Sequence, residues 1–481
     1  MELIALVRRD AYTDSVALMR VSAELRALSG IVAAAAVMAT DLNRAQLQEA
    51  GLLTDEAGAA GAGDLVVAVR AESRPAAHAA LERAEALLAG RRGGAAAGRV
   101  IDPRSVLSAA RHAGGANLAL ISVPGAYAAA EAQAALSAGL HVFLFSDYVP
   151  LADEVGLKRR AASLGLLVMG PECGTSILGG VGLGFANRVR RGGVGLVGAS
   201  GTGLQEVTSL IHRLGAGVSH AIGTGGRDLD EAVGGLTTLQ ALEWLGRDPG
   251  TRVIAVVSKP PSDAVARRVL GAAAATGKPV VACLLGWTGA PPAPVRAVDT
   301  LDEAAWSAVT ALGVTPPALA APPAPPRSGG GVLGLYTGGS LCEEAKSLVG
   351  AAGYRFDDFG SERYTRGRPH PMIDPSQRDA AVAAAGADGR AGVLLVDVVL
   401  GDGAHADPAA ALAPAVRAAR ARAGRQGRPL PVIGHVVGTD QDPQGLAAQE
   451  ARLREAGVLV CPSNRLAAEV ARGIAGGPHA R

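Results

Sequence analysis

Hydrophobic residues along the chain follow two alternating patterns. Short uninterrupted apolar runs, such as 253–257 and 280–285, are typical of strands that are buried on both faces of a parallel sheet. Between such runs, apolar residues recur every three or four positions, as they do from Leu204 to Leu214, which is the spacing of an amphipathic helix. The repeated alternation predicts βαβ units and therefore an α/β protein with parallel sheets.

The alternation breaks at two places, which predicts domain boundaries. Residues 90–98 are a Gly, Arg and Ala stretch, and residues 315–331 are rich in Pro and then in Gly, as linkers are. The predicted parts are an N-terminal α/β region at 1–98, a Rossmann-like domain at 99–189, a flavodoxin-like doubly wound domain at 190–314, the linker at 315–331 and a second flavodoxin-like domain at 332–475.

One turn between a predicted strand and a predicted helix is a candidate anion site. It consists of Ser200, Gly201, Thr202 and Gly203. The first N–H groups of a helix have no partner within the helix and lie at the positive end of its dipole, so they attract phosphate or carboxylate. The glycine spacing is neither the dinucleotide fingerprint nor a P-loop, and an ordinary strand–helix turn without a ligand is the alternative.

A second stretch repeats this arrangement. Thr337, Gly338, Gly339 and Ser340 follow the apolar run that starts at 332, and a helical pattern comes after them. Two preorganised helix starts that point at one place would suit a phosphoryl or acyl-phosphate group. The alternative is two copies of a common fold with no shared site.

Composition narrows the range of partners. The formal net charge is +2, which predicts neither nucleic-acid nor membrane binding. The four cysteines are far apart in the chain, so no metal site and no disulfide framework is expected. No apolar run is long enough to cross a membrane and the N-terminus lacks a signal-peptide pattern, so the expected location is cytoplasmic.

Several motifs resemble the succinyl-CoA synthetase superfamily of NDP-forming acyl-CoA synthetases. Residues 100–310 are similar to the α subunit and residues 332–474 to the carboxy-terminal domain of the β subunit. The α-like motifs are Val123-Pro124, Gly170-Pro171-Glu172-Cys173, Ser200-Gly201-Thr202 and Gly225-Gly226-Arg227-Asp228. The resemblance implies a Rossmann-like CoA-binding-type region followed by two flavodoxin-like, succinyl-CoA ligase-type domains. It also implies cofactor contacts at Val123, Pro124, Pro171 and Cys173, with CoA as the ligand.

Longer segments resemble the FdrA family, whose members are single-chain proteins of this superfamily. The segments are 197–206, 220–229, 258–261, 366–375 and 397–408. The resemblance implies a subunit of an oxamate carbamoyltransferase assembly in allantoin and purine catabolism. That reaction exchanges carbamoyl between oxamate and phosphate, so phosphate and carbamoyl phosphate would be ligands. It also implies other subunits as partners and an oligomeric state.

The departures from the synthetases change the expected chemistry. The loop that carries their phosphorylated histidine corresponds to 285–292 here, and the chain has no histidine between His220 and His370. Lys259 stands where the resemblance places a glutamate that orients this histidine. No ATP-grasp domain is recognisable. A phosphohistidine shuttle and autonomous ATP-dependent CoA ligation are therefore not expected.

Polar residues in the strand-end turns are the remaining candidates for chemistry. A lysine at the end of a buried strand suits phosphate, and arginine binds carboxylate or phosphate through two hydrogen bonds. The candidates for catalysis are Lys259 and His370, although His370 lies between prolines and a turn-capping role is the alternative. The candidates for substrate binding are Arg227, Asp228, Arg366, Arg368 and His405. Core packing is the interpretation for His435, and for Cys173 against a role as nucleophile.

Three functions follow from these predictions. The first is transfer of an acyl or carbamoyl phosphate, with the phosphoryl group held by the two helix starts. The second is ADP-forming acyl-CoA ligation. The third is a non-catalytic CoA- or phosphate-binding subunit of a larger complex.

Overall fold

The computed structural model describes residues 1–11, 13, 15–89, 103–366 and 368–475. The chain divides into two compact units. The first comprises Met1–His112 with Thr365–Asp374, and the second comprises Ala113–Tyr364 with Pro375–Arg481. The predicted loop at 90–98, and with it the boundary at residue 98, lies outside the described residues.

The first unit contains a three-stranded antiparallel sheet in the order β1-β3-β2. Its strands are β1 Glu2–Arg8, β2 Ile31–Met38 and β3 Leu65–Ala71. Its helices are α1 Ser15–Arg26, α2 Asp41–Glu49, α3 Asp55–Gly58, α4 Arg74–Ala89 and α5 Val106–His112. Because β3 lies between β1 and β2, which run parallel to each other, the topology is a split βαβ unit.

Both faces of this sheet are buried. Successive strand residues point to opposite faces. Accordingly, Val67 and Val69 of β3 belong to a core cluster that includes residues of α1 and α4, whereas Val66 and Ala68 belong to a second cluster that includes Leu47 of α2. The sequence pattern predicted α1 and α4 but missed α2 and α3, which are short and start at the capping residues Thr40 and Thr54.

The second unit begins with a small parallel sheet in the order β4-β5-β6. Its strands are β4 Leu118–Ile121, β5 His141–Leu144 and β6 Val168–Met169, and its helices are α6 Gly125–Ser137 and α7 Leu151–Leu164. The strands and helices lie where the apolar pattern of the Rossmann-like region predicts them.

A seven-stranded sheet follows, in the order β13-β12-β11-β9-β10-β7-β8. The strands are β7 Thr175–Leu178, β8 Val181–Gly184, β9 Arg191–Ala199, β10 Val218–Gly223, β11 Val253–Ser258, β12 Val280–Leu284 and β13 Arg296–Ala297. The helices are α8 Gly201–Arg213, α9 Leu236–Arg247, α10 Asp263–Ala274 and α11 Leu301–Ala311. Strands β9 to β13 are parallel, and the β7–β8 hairpin extends the sheet in antiparallel fashion beyond β10.

The last sheet has five parallel strands in the order β15-β14-β16-β17-β18. The strands are β14 Gly331–Tyr336, β15 Gly353–Asp358, β16 Ala391–Val399, β17 Val432–Val437 and β18 Val458–Cys461. The helices are α12 Gly339–Val349, α13 Glu362–Thr365, α14 Ser376–Ala385, α15 Pro408–Arg425, α16 Leu446–Glu455 and α17 Asn464–Ala475.

The two larger sheets share one topology. In each, the first strand lies between the second and the third, so that β10-β9-β11-β12-β13 and β15-β14-β16-β17-β18 are both the flavodoxin-like order 2-1-3-4-5. Ligands of such folds bind where the strand order reverses, at the carboxyl end of the first strand. That position is the start of α8 in one domain and the start of α12 in the other.

Candidate anion-binding site

The start of α8 leaves two N–H donors unused. Ser200 is the capping residue, and its Oγ accepts a hydrogen bond from the N–H of Gly203 at 3.1 Å. In the part of the chain that the structure describes, no acceptor pairs with the N–H groups of Gly201 and Thr202. Position 203 must be glycine because a Cβ there would collide with Ser200 Oγ. This helix start therefore offers an anion two preorganised donors.

The start of α12 already holds a carboxylate of the protein. Asp397, a buried residue of β16, accepts hydrogen bonds from the N–H groups of Thr337 at 2.6 Å and Gly338 at 2.8 Å. Burial raises the pKa of the Asp397 carboxyl, while Arg378 and the two N–H groups act in the opposite direction. No partner for the N–H of Gly339 is found among the described residues. This helix start therefore retains fewer donors for a ligand.

The two helix starts are in direct contact. Ser200 Oγ lies 2.6 Å from Ser340 Oγ, and the N–H of Ser340 approaches Thr202 Oγ1 at 3.4 Å. Gly201 and Gly339 keep partial exposure, whereas Ser200, Thr202 and Ser340 are buried. The structure thus brings together the two turns that the sequence marked, with an opening to solvent at the two glycines. Anion binding there stays a prediction.

Lys259 and Asp358 lie beside this opening. A Cβ on Gly339 would be 2.6 Å from Asp358 Oδ2 and 3.1 Å from Lys259 Nζ, so both side chains approach the first residue of α12. Asp358 is the last residue of β15, and its Oδ1 accepts a hydrogen bond from the N–H of Gly360 at 2.8 Å. Burial raises the pKa of Asp358 to about 6, against the opposing charge of Lys259. The opening therefore holds one cation and one carboxyl group that titrates near neutrality.

Asp228 and Arg227 belong to a buried ionic network in the structure. Lys158 Nζ, which has no exposed surface, lies 2.7 Å from Asp228 Oδ1 and 2.8 Å from Glu154 Oε1. Asp228 also accepts hydrogen bonds from the N–H groups of Thr237 and Thr238 near the start of α9. Its predicted substrate contact is corrected accordingly, since Asp228 has no surface to offer a ligand.

Arg227 extends the same network. Its guanidinium donates to Glu154 Oε2 at 3.0 Å and to the carbonyl of Val149 at 2.9 Å. The turn at 225–228 is therefore held by α7 and by the loop that precedes it. Glu154 and Lys158 were missed in the sequence because their spacing is also that of an ordinary exposed ion pair on a helix.

The predicted cofactor residues lie in turns at the carboxyl ends of the small sheet. The turns after β5 and β6 are joined by a hydrogen bond from the N–H of Glu172 to the carbonyl of Ser146. Pro124 precedes α6, Val123 is partly exposed and Pro171 is buried. Burial raises the pKa of the Cys173 thiol to about 11, so a thiolate is not available near neutral pH and packing accounts for this residue.

His370 holds a turn of the first unit. Its Nδ1 accepts a hydrogen bond from the N–H of Met372 at 3.2 Å, and its carbonyl accepts the N–H of Ile373 at 2.8 Å. Arg366 and Arg368, in the same Thr365–Asp374 segment, are exposed. The turn-capping interpretation of His370 describes these contacts, and a role in catalysis stays a prediction.

His405 lies in the loop that follows β16. Its Nδ1 accepts a hydrogen bond from the N–H of Asp407 at 3.0 Å, and its carbonyl accepts one from Gln444 Nε2 at 3.2 Å. The same loop pairs with the other domain, since Asp402 and Ala186 form an isolated β-bridge. The loop therefore joins the two flavodoxin-like domains, and substrate binding by His405 stays a prediction.

A buried histidine–glutamate pair connects strand β17 to helix α8. His435 Nε2 of β17 lies 2.8 Å from Glu206 Oε2 of α8, and His435 Nδ1 lies 3.0 Å from the carbonyl of Cys461. Because a carbonyl only accepts, Nδ1 carries a hydrogen, and the contact with Glu206 needs one further proton. The sequence placed His435 in the core, and the structure buries it, but Glu206 was not recognised as its partner.

Two further groups of the site were missed in the sequence. Asp397 is the one charged residue in an otherwise apolar strand of nine residues, and that contrast was a usable signal. Asp358 ends a strand of mixed aromatic and charged residues that has no apolar run, so β15 itself was not predicted.

The described residues contain no group of three or more His, Cys, Asp or Glu side chains that could hold a metal ion. None of their helices is long and apolar enough to cross a membrane.

Family models match three parts of the chain. A model described as "AllF, heavy metal-associated domain" matches residues 1–101, a "CoA binding domain" model matches 189–286 and a "CoA-ligase" model matches 335–474. The chain is 39% identical over 497 residues to the uncharacterized protein YahF of Escherichia coli (strain K12), an alignment that covers 95% of this chain and 96% of YahF. The chain belongs to the FdrA family of the acyl-CoA synthetase superfamily.

Other matches are more distant. The chain is 32% identical over 151 residues to the α subunit of the ADP-forming succinate–CoA ligase of Aquifex aeolicus (strain VF5), covering 30% of the chain and 48% of that subunit. Among solved structures, the apo dinucleotide-forming acetyl-coenzyme A synthetase 1 of Ca. Korarchaeum cryptofilum aligns with this chain at 16% identity and a TM-score of 0.35. The alignment covers 77% of this chain and 84% of the synthetase chain.

The first family description names a heavy metal, and the residues present do not fit one. Soft metal ions prefer thiolate and thioether ligands. The first cysteine of this FdrA-family chain is Cys173, beyond the matched residues 1–101, and the methionines within them are Met1, Met19 and Met38, which are far apart in the sequence. The matched residues therefore offer no thiolate to a soft metal ion.

Proposed function

We propose that the paired starts of α8 and α12 bind the phosphoryl group of an acyl phosphate, and that the protein is the subunit of an oxamate carbamoyltransferase that forms carbamoyl phosphate in allantoin and purine catabolism. The observation that carries the proposal is the 2.6 Å contact between Ser200 and Ser340, next to unpaired N–H groups and Lys259. Helix-start donors and a lysine charge are the groups that proteins use for phosphate.

The absence of a histidine between His220 and His370 favours direct attack by phosphate. A phosphate oxygen forms a bond to the carbamoyl carbon of N-carbamoyl oxamate, the carbon–nitrogen bond breaks, and the nitrogen takes a proton to leave as oxamate. Lys259 neutralises charge on the phosphoryl oxygens, and the backbone N–H groups hold them in place without reorganisation.

A second candidate is ADP-forming acyl-CoA ligation, which is favoured by the matches to CoA-binding and CoA-ligase models. One observation weakens it. The chain lacks a histidine at the position that a phosphoenzyme of this superfamily uses. A non-catalytic CoA- or phosphate-binding subunit is the third candidate.

The test measures binding and turnover separately. Inorganic phosphate is titrated into the full chain, and carbamoyl phosphate formation from N-carbamoyl oxamate and phosphate is followed with candidate partner subunits present. Lys259→Ala should weaken phosphate binding at least tenfold and Gly201→Val should abolish it, whereas Lys346→Ala, an exposed lysine of α12, should change neither. Unchanged affinity in the first two variants would refute the site. Binding without turnover in any partner combination would favour the third candidate, and labelling of the chain by radioactive ATP would favour the ligase.

A further inference from the structure

Asp358 is the one carboxyl group described beside the opening that has a free oxygen. Its Oδ1 accepts the N–H of Gly360, whereas no donor lies within hydrogen-bonding distance of Oδ2 in the described ranges. Oδ2 lies against Gly339, the partly exposed first residue of α12, and shares that position with Lys259 Nζ. By contrast, both oxygens of Asp397 are occupied by N–H groups of the same helix start.

We propose that Asp358 is a catalytic residue of the anion site and carries the proton between the attacking phosphate and the leaving nitrogen. The proposal rests on the proposed function. An anion at the donors of Gly201 and Gly339 would lie next to Oδ2, and no other described carboxyl group approaches Gly339 as closely.

The proton balance of the step is complete without a further reactant. The Asp358 carboxylate takes the proton of the attacking hydrogenphosphate oxygen as that oxygen bonds to the carbamoyl carbon. The carboxyl group then gives this proton to the nitrogen as the carbon–nitrogen bond breaks. Oxamate leaves with a neutral amide, carbamoyl phosphate stays at the helix starts, and the carboxylate is restored.

A residue that acts first as base and then as acid works best when its pKa is near the working pH. The surroundings of Asp358 set this balance. Burial raises the pKa to about 6, Lys259 after β11 opposes the rise, and the carboxylates of Asp397 on β16 and Glu343 on α12 add to it. A phosphate dianion at the opening would favour the protonated carboxyl group further.

The first test compares Asp358→Asn with Glu243→Gln in the full chain with its partner subunits. Asn keeps the acceptor for Gly360 but cannot carry a proton. We expect kcat for carbamoyl phosphate formation to fall at least 100-fold, with KM for phosphate changed less than threefold and the acidic limb of the pH profile lost. Glu243, an exposed residue of α9 that takes no part in the surroundings of Asp358, serves as the matched control and should leave kcat unchanged. A kcat within threefold of the wild type in Asp358→Asn would overturn the proposal.

The second test needs no turnover and uses inorganic sulfate, whose charge is constant between pH 5 and 8. If Oδ2 faces the bound anion, the sulfate affinity of the wild type should fall about tenfold as the pH rises through 6, because the carboxyl group ionises beside the ligand. The affinity of Asp358→Asn should not change over this range. Equal pH dependence in the two proteins would overturn the placement of Asp358, whereas no sulfate binding by either would refute the anion site itself.

Discussion

The starts of α8 and α12 have the same position in two domains of the same topology, yet they differ in what occupies their donors. Ser200 caps α8 from within its own turn, and the N–H groups of Gly201 and Thr202 have no partner in the described structure. At the start of α12, the carboxylate of Asp397 on strand β16 accepts hydrogen bonds from the N–H groups of Thr337 and Gly338. The free N–H groups at the start of α8 can bind an anion from solution. At the start of α12, a carboxylate of the protein already accepts two of the N–H groups.

Because of this difference, we expect the two helices to contribute differently to anion binding. An anion that bound two fully open starts would be held by dipoles from both sides, whereas here α8 supplies most of the free donors. The start of α12 instead positions Gly339 against Lys259 and Asp358. The comparison therefore predicts that changes at α12 affect stability and pH dependence most, and that changes at α8 affect anion affinity.

Loss of the Asp397 carboxylate should have the largest effect on stability. Asp397→Ala leaves two buried N–H groups without their acceptor and removes a carboxylate 3.8 Å from the guanidinium of the buried Arg378, so we expect the free energy of unfolding to fall by about 3–5 kcal/mol. Asp402→Ala removes a half-exposed ion pair with Arg188 and should cost about 1 kcal/mol or less. Denaturant unfolding measures both, and similar losses would show that Asp397 is not the internal ligand of α12.

Asp358 should make stability depend on pH. Because its pKa is raised to about 6 from 3.8, the folded protein retains a proton that the unfolded chain releases, so this group lowers the free energy of unfolding as the pH rises from 3.8 through 6. Asp358→Asn removes this decline. We expect the variant to be more stable than the wild type by about 3 kcal/mol at pH 8 and by little at pH 4. A difference that does not vary with pH would mean that the carboxyl group titrates normally.

Gly339→Ala tests how closely Lys259 and Asp358 approach α12. The added Cβ would be 2.6 Å from Asp358 Oδ2, so the two side chains must shift, with a loss of stability of about 1–2 kcal/mol and weaker sulfate binding. Gly271→Ala in α10 is the matched control, because a Cβ there meets no atom within 4 Å and alanine favours a helix. Thermal unfolding and sulfate titration report both effects. If Gly339→Ala behaved like the control, the described approach of the two side chains would be contradicted.

Ser200→Ala should have the smallest effect on stability but a specific effect on binding. Loss of a serine cap costs about 1 kcal/mol, and Ser262→Ala at the start of α10 removes the same kind of cap. We expect similar losses of stability in the two variants and weaker phosphate binding in Ser200→Ala alone, as measured by calorimetric titration. Weakening of phosphate binding in both would indicate a general loss of stability instead of a local site.

The sequence predicted the domain repeat and both glycine turns because strand, turn and helix each leave a local pattern. Ser200 and Ser340 are 140 positions apart in the sequence, and only the repeated domain pattern indicated that they are in contact. The position of Asp358 could not be predicted from the sequence, because the edge strand that carries it, β15, has no apolar run. Asp228 was misjudged for a physical reason: a charged residue in a glycine turn has the same local sequence whether it faces a ligand or a buried lysine such as Lys158.

We have proposed that the starts of α8 and α12 form one anion site. A crystal structure of the full chain grown with inorganic phosphate tests it most directly. We expect a phosphate whose oxygens lie within about 2.7–3.2 Å of the N–H nitrogens of Gly201 and Gly339, with Lys259 Nζ beside it. Phosphate bound elsewhere, with the Ser200–Ser340 contact closed and the opening at the two glycines empty, would contradict the claim.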